Sequence, residues 1–196
     1  MNIQTIRTSC VSTCSVPLAG RTPREANEAF AQAYQGALLC VSLARFSTEG
    51  HRDTGVLHSA KLGVSPTRLR SNPPALLRVF LRYRLMETTV PSRQWVVRLE
   101  DYSYSLTDPD GREFFAYHWH PVGRSWVTWP HLHLGPALGQ LSPSATQAHF
   151  PTGPVAIEDV IGMMIRWFGV VPQRQDWERV LIGTRRLFPE LCLTTA

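Results

Sequence analysis

Between residues 75 and 90 the chain reads ALLRVFLRYRLMETTV, and its side chains alternate in character. Leu77, Val79, Leu81, Tyr83 and Leu85 fall on one parity, while Arg78, Phe80, Arg82 and Arg84 fall on the other. On a helix a period of two scatters the apolar set around the cylinder, so this stretch is expected as a β-strand with one buried face and one arginine-bearing face. A strand needs neighbours. QWVVRLEDYSYSLTD and REFFAYHWHP follow with strand composition, and the DPDG between them is a turn built from residues that favour one. PHLHLG, bounded by Pro130 and Gly135, alternates again and is expected to form the edge strand. The implied sheet is an antiparallel meander of about four strands.

Helical periods flank it. Within TPREANEAFAQAYQGALLCVSLARF, Thr22 can cap, Pro23 suits the first helical position and Glu25 is placed for a capping box. Phe30, Tyr34, Ala37, Leu38 and Val41 then form one stripe, with Gly36 as a point where the helix can bend. In PVAIEDVIGMMIRWFG, residues Ile157, Val160, Ile161, Met164, Ile165 and Phe168 recur at helical spacing, Glu158 and Asp159 complement the helix dipole, and Gly169 supplies the stop. A last helix, QRQDWERVLIGTRRLF, presents Trp177, Val180, Leu181, Leu187 and Phe188. The fold class is therefore α+β, with the helices packed on one side of the sheet. The chain divides into a disordered leader (1–22), an N-terminal helix (23–46), a Gly/Pro/Ser-rich linker (47–74) and a core domain (75–190).

Charge narrows the partners. Twenty basic against fifteen acidic residues give a formal net charge of +5, which suits an anionic partner such as RNA or an acidic protein. Lys61 is the only lysine, so the basic surface is guanidinium. The four cysteines form no C-x-x-C pair, and no apolar run reaches membrane-spanning length, so the expectation is a cytoplasmic protein with reduced thiols and no membrane contact.

Chemistry concentrates in HWHPVGRSWVTWPHLHLG, residues 118–135, which hold four histidines, three tryptophans and an arginine; His149 follows closely. Residues two apart on a strand share a face, so His118 pairs with His120 and His131 with His133, and adjacent strands can bring the rings together. One chemistry open to such a cluster is a metal site, although the chain has no H-E-x-x-H and no distinctively spaced carboxylate in the block. The other is phosphodiester cleavage without a metal, one His acting as base and another as acid, and it is the leading expectation, with no cofactor and no metal assigned. In it His131 and His133 are the catalytic pair and His118 and His120 support them. Arg124 and Arg112 neutralise phosphate, while Trp126 and Trp129 stack on bases. Two alternatives stand beside it: a His/Trp face that recognises a partner protein without catalysis, and a His-rich metal-dependent enzyme. The plain structural reading makes these rings exposed strand residues or histidines satisfied by backbone carbonyls; His51 and His58 take that reading. The loop HFPTGPVAIEDV also offers N–H groups before a helix lacking a side-chain cap at Ala156, suited to a structural turn or an anion.

The order of these features, from the DG-type turn through PHLHLG and the PTGPV loop to AIEDVIGMMI, resembles the TumE-like toxin components of bacterial toxin–antitoxin operons over roughly residues 77–168. The family's histidine-rich FPHH-x-H segment corresponds to WPHLHLG, matching at Pro130, His131, His133 and Gly135 but departing at Leu132, and further on Ala156 stands where the family usually has a Ser helix cap. The resemblance implies a growth-inhibitory toxin-like protein with an antitoxin partner; RNA as its target comes from the histidine, arginine and tryptophan reading above.

Overall fold

The computed structural model describes residues 18–49, 54–64, 66–89, 93–123 and 126–186. Its centre is the expected meander: β5 (Leu76–Thr88), β6 (Gln94–Thr107), β7 (Glu113–Trp119) and β8 (His131–Leu134), each antiparallel to the next. The sheet is larger than four strands, however. β2 (Phe46–Thr48) and β3 (His58–Leu62) extend it beyond β5, and β9 (Phe150–Pro151) extends it beyond β8. The two-residue strands β1 (Ala19–Gly20) and β4 (Thr67–Arg68) pair with β6 and β5, bringing the total among the described residues to nine.

These additions correct two expectations. Residues 47–74 are not a plain linker, because β3 lies between β2 and β5 and pairs through His58↔Tyr83 and Ala60↔Leu81. Its HSAKL sequence buries His58, Ala60 and Leu62, but the apolar mass comes from β5 across the ladder. Nor is β8 an edge, since Leu132 pairs with Phe150 and His131 with Pro151. Proline falls on the outermost strand, where a missing ladder donor costs least.

α1 runs unbroken over Pro23–Leu38, ending earlier than the apolar stripe implied, and Phe46 already belongs to β2. The Thr22 hydroxyl accepts from the Glu25 N–H at 3.2 Å, while the Glu25 carboxylate accepts from the Arg21 N–H at 2.7 Å. α3 (Ile157–Trp167) and α4 (Trp177–Arg185) follow, with a short α2 (Pro143–Gln147) between β8 and β9. Of the proposed leader, residues 1–17 lie outside the described residues, as do Leu187 and Phe188. No helix among the described residues is long and apolar enough to cross a membrane.

One face of the meander is the core. Leu77, Val79, Leu81, Tyr83 and Leu85 of β5, Tyr102, Tyr104 and Leu106 of β6, and Phe115 of β7 are buried with Phe30, Tyr34 and Leu38 of α1 and Ile157, Val160, Ile161 and Met164 of α3. The tyrosine hydroxyls find partners there: Tyr83 donates to Asn27 Oδ1 at 2.6 Å, Tyr34 and Tyr104 share a bond at 3.2 Å, and the Tyr102 oxygen accepts the Val155 N–H at 2.9 Å. Gly169, at φ +64°, ends α3 where an added Cβ would meet the Asn72 carbonyl oxygen at 2.1 Å.

Candidate metal centre

The same pleat that sends Phe115, Tyr117 and Trp119 of β7 toward the helices sends Ala116 and His118 the other way. On β8 the parity works likewise: Leu132 packs against the core, and His131 and His133 take the outer face. The ladder sets His118 directly opposite His131 and His133 opposite Ala116. Continued one step outward, the β8–β9 register sets His149 opposite His133. Five histidines from three strand segments thus share one face. Their ring centroids are close throughout: 4.3 Å for His133–His149, 4.9 Å for His131–His133, 5.0 Å for His131–His149, 5.2 Å for His118–His133 and 5.4 Å for His118–His120.

Within this group one ring nitrogen from each of His118, His131 and His133 lies within 4.8 Å of the other two. Zinc–imidazole bonds of about 2.0–2.1 Å in tetrahedral geometry put two ligand nitrogens about 3.4 Å apart, so small ring rotations close the site on an ion. His131, only 4% exposed, is held in one orientation: its Nδ1 lies 2.8 Å from the Trp129 carbonyl oxygen. A carbonyl can only accept, so in the neutral ring Nδ1 carries the hydrogen and Nε2 keeps its lone pair for a ligand.

Electrostatics favour the neutral rings. Burial, followed by repulsion from His120, His133, His131 and His149, pushes the His118 imidazolium from the ordinary 6.5 down to about 4. Burial, then His149 and His131, brings His133 to about 4 as well. His131 is lowered by burial in spite of its carbonyl partner. Unprotonated imidazole is the form that binds metal.

The remaining expected site residues divide. Trp126, 75% exposed, contacts both Trp129 and His149 at 5.8 Å between centroids, so the two tryptophans rim the cluster. Trp119 faces the core against Tyr102. Arg112 does not join the site. It closes the β6–β7 turn through Asp108 at 2.7 Å and Asp110 at 3.2 Å, and at a rise of about 3.3 Å per residue the length of β7 separates it from His118. Arg124 lies outside the described residues. Two of the N–H groups that the PTGPV loop offers are already taken, Val155 by the Tyr102 oxygen and Ala156 by Asp159 at 3.4 Å.

The sequence reading missed one carboxylate. Asp101, 2% exposed, lies on the outer face of β6 beside the cluster, and Arg82 pairs with its Oδ2. Its signal was an acidic pair, Glu100–Asp101, inside a strand, where such residues are depleted. Gly135 closes β8 where an added Cβ would meet the Glu113 carbonyl oxygen at 2.0 Å, so the glycine shared with the toxin-like pattern has a packing reason. No protein-family model, curated protein or solved structure matches the chain, so the TumE-like resemblance rests on the sequence pattern alone.

Proposed function

We propose that this protein is a metal-dependent hydrolase whose His118, His131 and His133 hold a zinc-class divalent ion. One observation carries the reading: three imidazole nitrogens converge within 4.8 Å on the outer face of the sheet, His131 being oriented by a backbone carbonyl. Three-histidine sites leave a coordination position for water, and the ion lowers the pKa of that water toward neutrality, making hydroxide available.

Ligation fits the cluster better than acid–base work without a metal. A general acid must carry its proton at working pH, and His118 and His133 at about 4 do not. The substrate class that fits is an anionic ester, with phosphodiesters such as RNA in first place. Arg78 stands on the same face in the cross-strand row Arg78, Ser105, Ala116, His133, and it has no ion-pair partner among the described residues. The Trp126 and Trp129 rim offers ring faces on which a base can stack.

Untagged protein purified without chelator and loaded with Zn(II) is expected to hold one equivalent by elemental analysis and to hydrolyse bis(p-nitrophenyl) phosphate or a short RNA. Loss of both properties in His131→Ala, with the fold retained, supports the reading. A wild type that binds no Zn(II), Co(II) or Ni(II) at micromolar concentration overturns it.

A further inference from the structure

β6 carries an irregularity beside the cluster. Its register with β5 shifts between Arg82 and Tyr83: Arg82 faces Asp101, but Tyr83 already faces Leu99. Glu100 is the extra residue of a β-bulge, a device that turns a side chain out of simple alternation. Leu99 and Tyr102 are both buried in the core, so both intervening residues, Glu100 and Asp101, leave that face. Glu100 joins Arg84 and Arg98 on the outside, at 3.5 and 2.6 Å. Asp101 goes inward on the outer face and is 2% exposed.

Only half of that carboxylate is satisfied. Oδ2 takes the Arg82 guanidinium, whereas Oδ1 is buried with no hydrogen-bond partner. A buried carboxylate oxygen without a donor is costly and rarely kept without a use. The β6–β7 ladder shows what stands opposite. Tyr102 pairs with Trp119 and Ser103 with His118, so the next step sets Asp101 against His120, on the face His118 already occupies. The His120 ring is 5.4 Å from that of His118, and its charge bears on the Asp101 carboxyl. Carboxylate, imidazole and ligand cluster therefore lie in sequence across adjacent strands.

We infer that Asp101 is a positioning residue for His120: Oδ1 accepts one ring N–H of His120 and turns its other nitrogen to the ion held by His118, His131 and His133, making His120 a fourth protein ligand and leaving water the fifth position of a five-coordinate ion. This rests on the metal reading above. Carboxylate–histidine–metal relays fix both tautomer and ring orientation, and losing the carboxylate typically weakens metal binding 10–100-fold. The Arg82–Asp101 pair sets which oxygen is free, since a guanidinium only donates. For the same reason Asp101→Asn would give its amide oxygen to Arg82 and present an NH2 to His120, opposing two donors.

The test is Co(II) titration of the full chain, followed by its visible d–d bands, whose intensity reports coordination number, with thermal melting of each metal-free variant as the folding control. Wild type is expected to bind one equivalent with the weaker bands of a five-coordinate site. Asp101→Asn is expected to bind 10–100-fold more weakly and His120→Ala at least as much more weakly, both with the more intense bands of a site that has lost a ligand, and His149→Ala is expected to keep the wild-type spectrum. Asp101→Glu should recover part of the loss. If Asp101→Asn does not fold, His120→Ala decides. Unchanged affinity and bands in Asp101→Asn or His120→Ala, or a spectral change confined to His149→Ala, overturns the inference while leaving the metal reading intact. A wild type that binds no Co(II) overturns both.

Discussion

The two faces of the central sheet come from the same strands and the same alternation, yet they keep their polar atoms in opposite conditions. On the inner face each buried tyrosine hydroxyl named above has a partner within 3.2 Å, and the rings of Phe30, Tyr34, Tyr83 and Phe46 are buried against one another. On the outer face, a histidine trio is crowded with its lone pairs converging, Asp101 keeps an orphan oxygen, and Arg78 has no counter-ion among the described residues. The first face pairs its polar atoms internally; the second keeps groups that the proposed ion would satisfy. Mutations on the two faces should therefore separate stability from function.

The largest effect belongs to the inner face. Phe30 is fully buried, with Tyr34 and Tyr83 rings at 4.9 and 5.0 Å, so Phe30→Ala should cost about 3–5 kcal/mol in denaturant unfolding. Whatever remains folded should bind metal normally. Next comes the outer face: His131→Ala should weaken Zn(II) binding more than 100-fold, beyond what a supporting residue costs, as read by competition with a chromophoric chelator. If its affinity falls less than tenfold, the functional contrast between the faces collapses.

The pH dependence of the chelator-treated protein sharpens the comparison. His118 and His133 bind protons near 6.5 when unfolded but only near 4 when folded, so between those values the unfolded state holds more protons. Stability is thus greatest above about pH 6.5 and declines as pH falls toward 4. His118→Gln should flatten that decline in urea titrations across pH 4–7, whereas an inner-face substitution should lower the curve without changing its slope. The smallest effect on stability is expected from Trp126→Ala. At 75% exposure it should shift unfolding by no more than about 0.5 kcal/mol, while weakening single-stranded RNA binding by about 1–3 kcal/mol in fluorescence anisotropy. Equal RNA affinity in wild type and variant would remove the aromatic rim from substrate binding.

Some of this was legible beforehand because it is local. Parity alone places Leu77 to Leu85 on one face and His118, His131 and His133 on equivalent positions of their strands, and Thr22, Pro23 and Gly169 mark helix ends through their own backbone preferences. β3 was not legible, because HSAKL has too little apolar mass of its own and becomes a strand through Tyr83 and Leu81 across the ladder. β9 escaped notice for a similar reason: two residues ending in proline carry no period.

The site shows the same division. That histidines would share a face was written in their spacing, but spacing along one strand cannot fix the register between strands, and a slip of one residue would have sent His131 to the core. Only the assembled sheet sets His131 against His118, brings His149 beside His133, and uses a bulge at Glu100 to put Asp101 on the outer face. It also removes Arg112, which sequence proximity suggested, by fixing it in the turn at the far end of β7. The chain's order of residues determined which side chains alternate and which elements form. Which of them meet was decided by register and burial, since those depend on contacts between segments far apart in sequence.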